Sequence, residues 1–224
     1  MSETEGAHPE LPLERVHPAK SRLLVVDVQN DFLADGGWFA KHKGHDLQGM
    51  RRAVENADRL IGRARAAGVR PIFIQAIYDE KWLSKPMLER HALVGLDTKH
   101  CQEGTWGAEF YLVSPKADED VVVKHRYSAF HGTELDTLLR AQGVENLIFV
   151  GVTTNVCVES TARDGYMRDY HIVVVEDCTA SYSEEPHQAT LANIRRAFGR
   201  VATSDEIVSL WHGAGFLSGA TEAA

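Results

Sequence analysis

The chain has 224 residues, enough at about 150 residues per domain for one substantial domain and cramped for two. Hydrophobic residues make up 44% and charged residues 25%, with 18 glycines and 7 prolines, a balance that belongs to globular proteins and excludes disordered and fibrous classes. The formal charge of -8 offers no general attraction to phosphate backbones or anionic lipid, which argues against nucleic acid or membrane surfaces as partners and for small-molecule chemistry.

Residues 1–20 contain three of the seven prolines and no apolar run. They are neither a signal peptide nor a membrane span, and they read as an extended arm, either a frayed terminus or an arm embracing a second subunit. A single domain is expected over 21–212, followed by a flexible tail over 213–224. Within it, five short β-branched runs predict strands at Leu23–Val28, Pro71–Ile77, Asp120–Lys124, Asn146–Gly151 and His171–Glu176. They lack polar alternation, as strands buried on both faces of a parallel sheet do. Between them, Met50, Val54, Ala57, Ile61 and Ala64 recur at helical spacing and Gly68 follows as a stop. Thr133 with Asp136 three residues later predicts a capped helix running to about Gly143. Further helices are expected at Val156–Arg168, Pro186–Phe198 and Ser204–Trp211, with a sixth strand near Val201. The alternation predicts an α/β three-layer αβα sandwich on a Rossmann-like, mostly parallel six-stranded sheet with right-handed crossovers. The long connections 29–48 and 78–119 are where specificity is expected.

Ligands of open parallel sheets sit beyond the carboxyl ends of the strands, so the strand ends carry the functional reading. The first ends in Val26-Asp27-Val28-Gln29-Asn30-Asp31-Phe32, an acid inside an apolar run that needs a partner if ionised. The third ends in Val121-Val122-Val123-Lys124, which supplies a candidate cation. The fourth runs into Gly151-Val152-Thr153-Thr154-Asn155-Val156-Cys157-Val158, where a cysteine opens a helix whose dipole favours a thiolate. Taken singly, these are a turn-forming Asp, a solvated Lys and an inert core Cys. Together they are the base, cation and nucleophile of cysteine acyl-transfer chemistry without a histidine. Three cysteines are too few and too odd in number for a disulfide scaffold, which points to a reducing, cytoplasmic setting. Cys101 and Cys178 read as packing or bystander residues. The chain lacks G-x-S-x-G, H-E-x-x-H, G-x-x-x-x-G-K and G-x-G-x-x-G signatures.

The strand-one motif, Lys124 with Tyr127-Ser128-Ala129-Phe130, and Gly151 to Val158 resemble the isochorismatase-like cysteine hydrolases in order and spacing, over about residues 21–210. The resemblance implies an Asp27, Lys124, Cys157 triad and a cis peptide at Val152-Thr153 beside the nucleophile. In the mechanism this suggests, backbone N–H groups of Thr153 and Cys157 hold the oxyanion of a covalent acyl-enzyme. Lys124 to Ser181 looks most like ureidoacrylate amidohydrolases and the biuret and triuret hydrolases, which cleave a C–N bond at a ureido or carbamoyl carbonyl. The alternatives are a nicotinamidase or isochorismatase-type hydrolase, or a noncatalytic small-molecule binder on the same fold. Nicotinamidases carry an Asp-x-His metal motif and a Trp-His-Pro segment; here the second strand leads instead into Gln75-Ala76-Ile77-Tyr78-Asp79. His42, His45 and Asp46 read as solvated loop residues and not as metal ligands. No cofactor or metal is expected. Candidate substrate-binding residues are Asn30, Phe32, Trp38, Gln75, Tyr78 and Tyr127, and a homo-oligomer, dimer or tetramer, is expected.

Overall fold

Val, Leu and Ile runs with no polar face can hide from water only between two layers, and here they form the middle of a sandwich. The computed structural model describes residues 12, 16–44, 46–96 and 99–217. Six strands, β1 (Ser21–Val26), β2 (Arg70–Ala76), β3 (Asp120–Lys124), β4 (Asn146–Val152), β5 (His171–Ala180) and β6 (Gly199–Ala202), make one sheet in the order β3-β2-β1-β4-β5-β6. Every pairing is parallel.

Among the described residues, eight α-helices accompany the sheet: α1 (Asn30–Leu33), α2 (Trp38–Lys43), α3 (Gln48–Ala66), α4 (Lys85–Leu93), α5 (Leu135–Ala141), α6 (Glu159–Tyr166), α7 (Glu184–Asn193) and α8 (Ser204–Gly213). Alternate residues of each strand serve opposite cores. Leu23, Val25, Phe73, Ile148, Val150, Val173 and Val175 pack with the buried faces of α3 and α8. Leu24, Val26, Ile72, Ile74, Leu147, Phe149, Ile172 and Val174 pack with Leu135 and Leu139 of α5, Ala162 of α6 and Leu191 of α7. The five apolar positions read from the α3 spacing are all buried, joined by Ala53 and Leu60. Each such large side chain contributes about 1.5–3 kcal/mol on burial.

The departures from the sequence reading have local causes. Glu134, not Thr133, holds the cap position of α5; Thr133, one residue earlier, accepts from the Leu135 N–H at 3.3 Å while its hydroxyl donates to the Ala129 carbonyl, and Asp136 makes no reciprocal capping box with it. A reciprocal capping box instead opens α8, where Thr203 accepts from the Glu206 N–H and the Glu206 carboxylate accepts from the Thr203 N–H. Two helices expected as continuous contain π-helical turns, Thr154–Val158 ahead of α6 and Ile194–Phe198 after α7. The connections 29–48 and 78–119 hold α1, α2 and α4, whose short lengths give too few turns for a readable period. Core packing begins at Val16, which is buried. It closes near Phe216, whose ring meets His17 edge-on at 4.6 Å. Of the expected arm, residues 16–20 are not a free extension: Val16 and Pro18 are buried, and Pro18–Lys20 form a 3₁₀ turn leading into β1. Apart from exposed Pro12, residues 1–15 lie outside the described residues, as do the expected tail beyond Leu217 and His45. No helix among the described residues is long and apolar enough to cross a membrane.

Candidate active site

The strand order reverses between β1 and β4, so the segments leaving these two strands diverge and open a crevice. Gly151 lets the strands meet there. Its φ is +112°, and a β-carbon would stand 2.1 Å from the Val26 carbonyl oxygen, so any side chain would push β4 off β1. Just beyond Val26, Asp27 turns into the left-handed region at φ 51°, a cost of about 1–2 kcal/mol for a residue with a β-carbon. Its N–H still donates to the Ile74 carbonyl of β2 at 3.1 Å. Gln29 fixes the departing chain: its side-chain amide donates to the Ala76 and Ala108 carbonyls and accepts from the Ala76 N–H. On β3, Val122 and Lys124 face inward while Val121 and Val123 face out, so the strand's period of two delivers the lysine to the interior.

Cys157 lies in the π-helical turn after β4. The Thr153 carbonyl accepts from the Val156 and Val158 N–H groups. The Thr161 hydroxyl donates to the Cys157 carbonyl at 2.7 Å and accepts from the Ala129 N–H, tying the cysteine to the Tyr127-Ser128-Ala129 segment. The Thr154 hydroxyl and His187 Nδ1 are hydrogen-bonded at 2.8 Å. The peptide Val152-Thr153 is cis.

Asp27, Lys124 and Cys157 converge. Lys124 Nζ is 2.8 Å from Asp27 Oδ2, 3.3 Å from Cys157 Sγ, 3.1 Å from the Arg126 carbonyl and 3.4 Å from the Tyr78 hydroxyl. The lysine and aspartate side chains are essentially inaccessible to solvent. Burial drives the Asp27 pKa up, against the Lys124 charge and the Cys157 thiol's hydrogen bond, so the carboxylate is a stronger base than a surface aspartate. Burial works against the Lys124 ammonium, but Asp27 and Cys157 outweigh it and the lysine stays protonated. The Cys157 thiol is pushed up to about 12, first by burial and then by Asp27, with Lys124 offsetting part of this. This corrects the expectation of a resting thiolate: in a dry pocket beside a carboxylate, the desolvation cost of the anion exceeds what one ammonium returns. Burial also raises the Cys101 and Cys178 thiols. The free protein is therefore expected to show no thiolate ultraviolet absorbance at neutral pH; a neutral-pH signal that vanishes in Cys157→Ser would contradict this.

Cys157 opens onto a cavity of about 200 Å³. Of the six expected substrate-binding residues, the structure brings Phe32, Tyr78 and Tyr127 to its wall, with Thr153. The Tyr78 hydroxyl is 4.0 Å from Cys157 Sγ. Asn30, Trp38 and Gln75 are placed elsewhere. The Asn30 amide donates to the Trp106 carbonyl and the Gln75 amide to the Ala108 carbonyl, and Gln75 lines a separate surface cleft with Val123 and His125. Trp38 sits behind the wall, its ring packed on Phe39, His42 and His100. The sequence reading missed Phe39, His91, Leu96, His100, Asn155, Val156 and Tyr182, which complete the lining. Only the placement of most of them beside strand ends or in the long connections marked them. Cys101 is a buried loop residue whose N–H donates to Asp31 Oδ2, and Cys178 is buried in β5. His42 Nδ1 is hydrogen-bonded to the Trp38 carbonyl, and no cluster of three or more His, Cys, Asp or Glu suited to a metal occurs among the described residues.

Comparison with known proteins places this geometry. The family model described as the isochorismatase domain matches residues 21–206. Ureidoacrylate amidohydrolase RutB of Acinetobacter baylyi is 34% identical over 209 residues, covering 86% of this chain and 84% of the relative. Among solved structures, a cysteine hydrolase from Pseudomonas syringae pv. phaseolicola aligns with TM-score 0.82 and 26% identity over 93% of this chain and 100% of its own. N-carbamoylsarcosine amidase from Thermoplasma acidophilum aligns with TM-score 0.67 and 29% identity over 83% and 97%. A parallel sheet in Rossmann order, an Asp-Lys-Cys cluster at its switch point and a family match over most of the chain lead to one conclusion: the chain belongs to the isochorismatase family of hydrolases.

Proposed function

We propose that the protein is a cysteine amidohydrolase that cleaves the C–N bond of a small ureido or carbamoyl amide through a covalent intermediate on Cys157. The observation that carries this reading is the Lys124 ammonium held between Asp27 at 2.8 Å and Cys157 at 3.3 Å, beneath the cavity that Cys157 lines. The names of the relatives, a ureidoacrylate amidohydrolase and an N-carbamoylsarcosine amidase, support the substrate class.

The steps follow from the resting protonation states. Asp27, made basic by burial, takes the thiol proton as Cys157 Sγ attacks the substrate carbonyl, so the anion forms only as the C–S bond does. Lys124 stays charged throughout and holds both partners in place. Backbone N–H groups of Thr153 and Cys157 receive the developing oxyanion, a role worth about 3–4 kcal/mol per donor in comparable holes. When the tetrahedral adduct collapses, protonated Asp27 gives its proton to the departing nitrogen and the C–N bond breaks, leaving a thioester or thiocarbamate. Asp27, again ionised, then takes a proton from water, whose attack releases the acid and restores the thiol.

A site that hydrogen-bonds a urea N–H penalises analogues lacking it, because its polar groups are left unpaired. Ureido or carbamoyl amides are therefore expected to exceed nicotinamide and pyrazinamide by at least about 10-fold in kcat/KM, equivalent to about 1.4 kcal/mol. Side-by-side kinetics in which either aromatic amide outperforms every ureido compound would show that the substrate class is wrong.

A further inference from the structure

His91 is the one residue that α4 buries, at 2% exposure. Its Nδ1 has no hydrogen-bond partner, which buried polar atoms seldom lack. The ring forms part of the Cys157 cavity wall, with its centroid 6.4 Å from that of Tyr78 and 5.8 Å from that of His100. Burial lowers its pKa, so the imidazole is neutral and offers one donor and one acceptor.

The rest of the wall lacks the usual partners of an anion. Among the described residues, no lysine or arginine lines the cavity. Lys124, beneath it, is engaged by Asp27, Cys157, Tyr78 and the Arg126 carbonyl. Arg90 and Arg126 lie in a neighbouring surface groove beyond Tyr127, where Arg126 donates to the Trp82 and His125 carbonyls. His100 is 3% exposed and ringed by Phe32, Trp38, Phe39 and Tyr78. A carboxylate brought into such a pocket loses its hydration and meets no free cation.

Building on the amidohydrolase reading, we propose that His91 is a specificity-determining residue: its imidazole, part of the cavity wall and carrying an unpartnered Nδ1 in the free protein, hydrogen-bonds the urea group of the substrate, and the site selects compact, uncharged ureido amides over ureido compounds that carry a carboxylate.

The test compares biuret, which is uncharged, with ureidoacrylate, which bears a carboxylate, and uses nicotinamide as a third substrate. It is run on the wild type, His91→Leu and His91→Asn. The wild type is expected to favour biuret over ureidoacrylate by at least about 10-fold in kcat/KM. His91→Leu should raise KM for biuret about 10-fold, change kcat by less than about threefold, and leave the rate of Cys157 alkylation by iodoacetamide unchanged. His91→Asn, which keeps a hydrogen-bonding group, should recover at least about threefold of the lost kcat/KM. If His91→Leu does not fold, His91→Ala, which also lacks a hydrogen-bonding group, takes its place with the same rise in KM expected. Preference for ureidoacrylate, or an unchanged KM for biuret in the variant that lacks a hydrogen-bonding group, overturns the inference and leaves the amidohydrolase reading standing. Turnover of nicotinamide with none of either ureido compound overturns that reading and this inference together.

Discussion

Cys157→Ser is expected to lower kcat by at least about 10³-fold while leaving the fold and its melting temperature nearly unchanged. Cys157 is 6% exposed, and the substitution removes little volume, so packing barely changes. The chemistry changes far more. A hydroxyl is harder to ionise than a thiol, and Asp27 is matched to a thiol already pushed up to about 12. Steady-state assays beside a thermal melt check both halves of the expectation. Retention of more than a few percent of activity would remove Cys157 from the chemistry.

The second large effect concerns the buried ion pair. Lys124→Met is expected to cost about 3–5 kcal/mol of stability, because Asp27 is left charged and unpaired in the interior. Asp27→Asn leaves Lys124 in the same position and is expected to cost a similar amount. It also removes the base and lowers kcat by about 10²–10⁴-fold. The double substitution, which removes both charges, is expected to recover most of the stability and none of the activity. Urea unfolding of the two single variants and the double variant measures the coupling directly. Additive stability losses would mean that the pair is not coupled in the folded protein, and an active double variant would mean that neither group serves the reaction.

The sheet and the three converging residues were legible because each rests on a short-range rule. An apolar run without alternation must be covered on both faces, and an acid, a lysine or a cysteine at the end of such a run stands out against its neighbours. What escaped depends on where distant backbone carbonyls fall. Asn30 and Gln75 have side chains suited to urea recognition, yet the turn containing Trp106 and Ala108 offers them carbonyls and uses up their amides. Trp38 was an attractive wall residue, but α2 turns it behind Phe39. His91 and Tyr182 carry no local signal: the long connection after β2 brings His91 to the cysteine's cavity, and Tyr182 reaches it from just beyond the end of β5. The protonation state of Cys157 was misjudged for a similar reason: helix position favours a thiolate, whereas burial beside Asp27, a tertiary effect, does not.

Covalent catalysis at Cys157 is tested most directly by acid-quenching the wild type during turnover of a ureido substrate and weighing its cysteine-containing peptides. The expected result is an acyl or carbamoyl adduct on the Cys157 peptide that disappears as substrate is exhausted and is absent from Cys157→Ser. Sustained turnover with Cys157 unmodified while the adduct forms on Cys101 or Cys178 would contradict it.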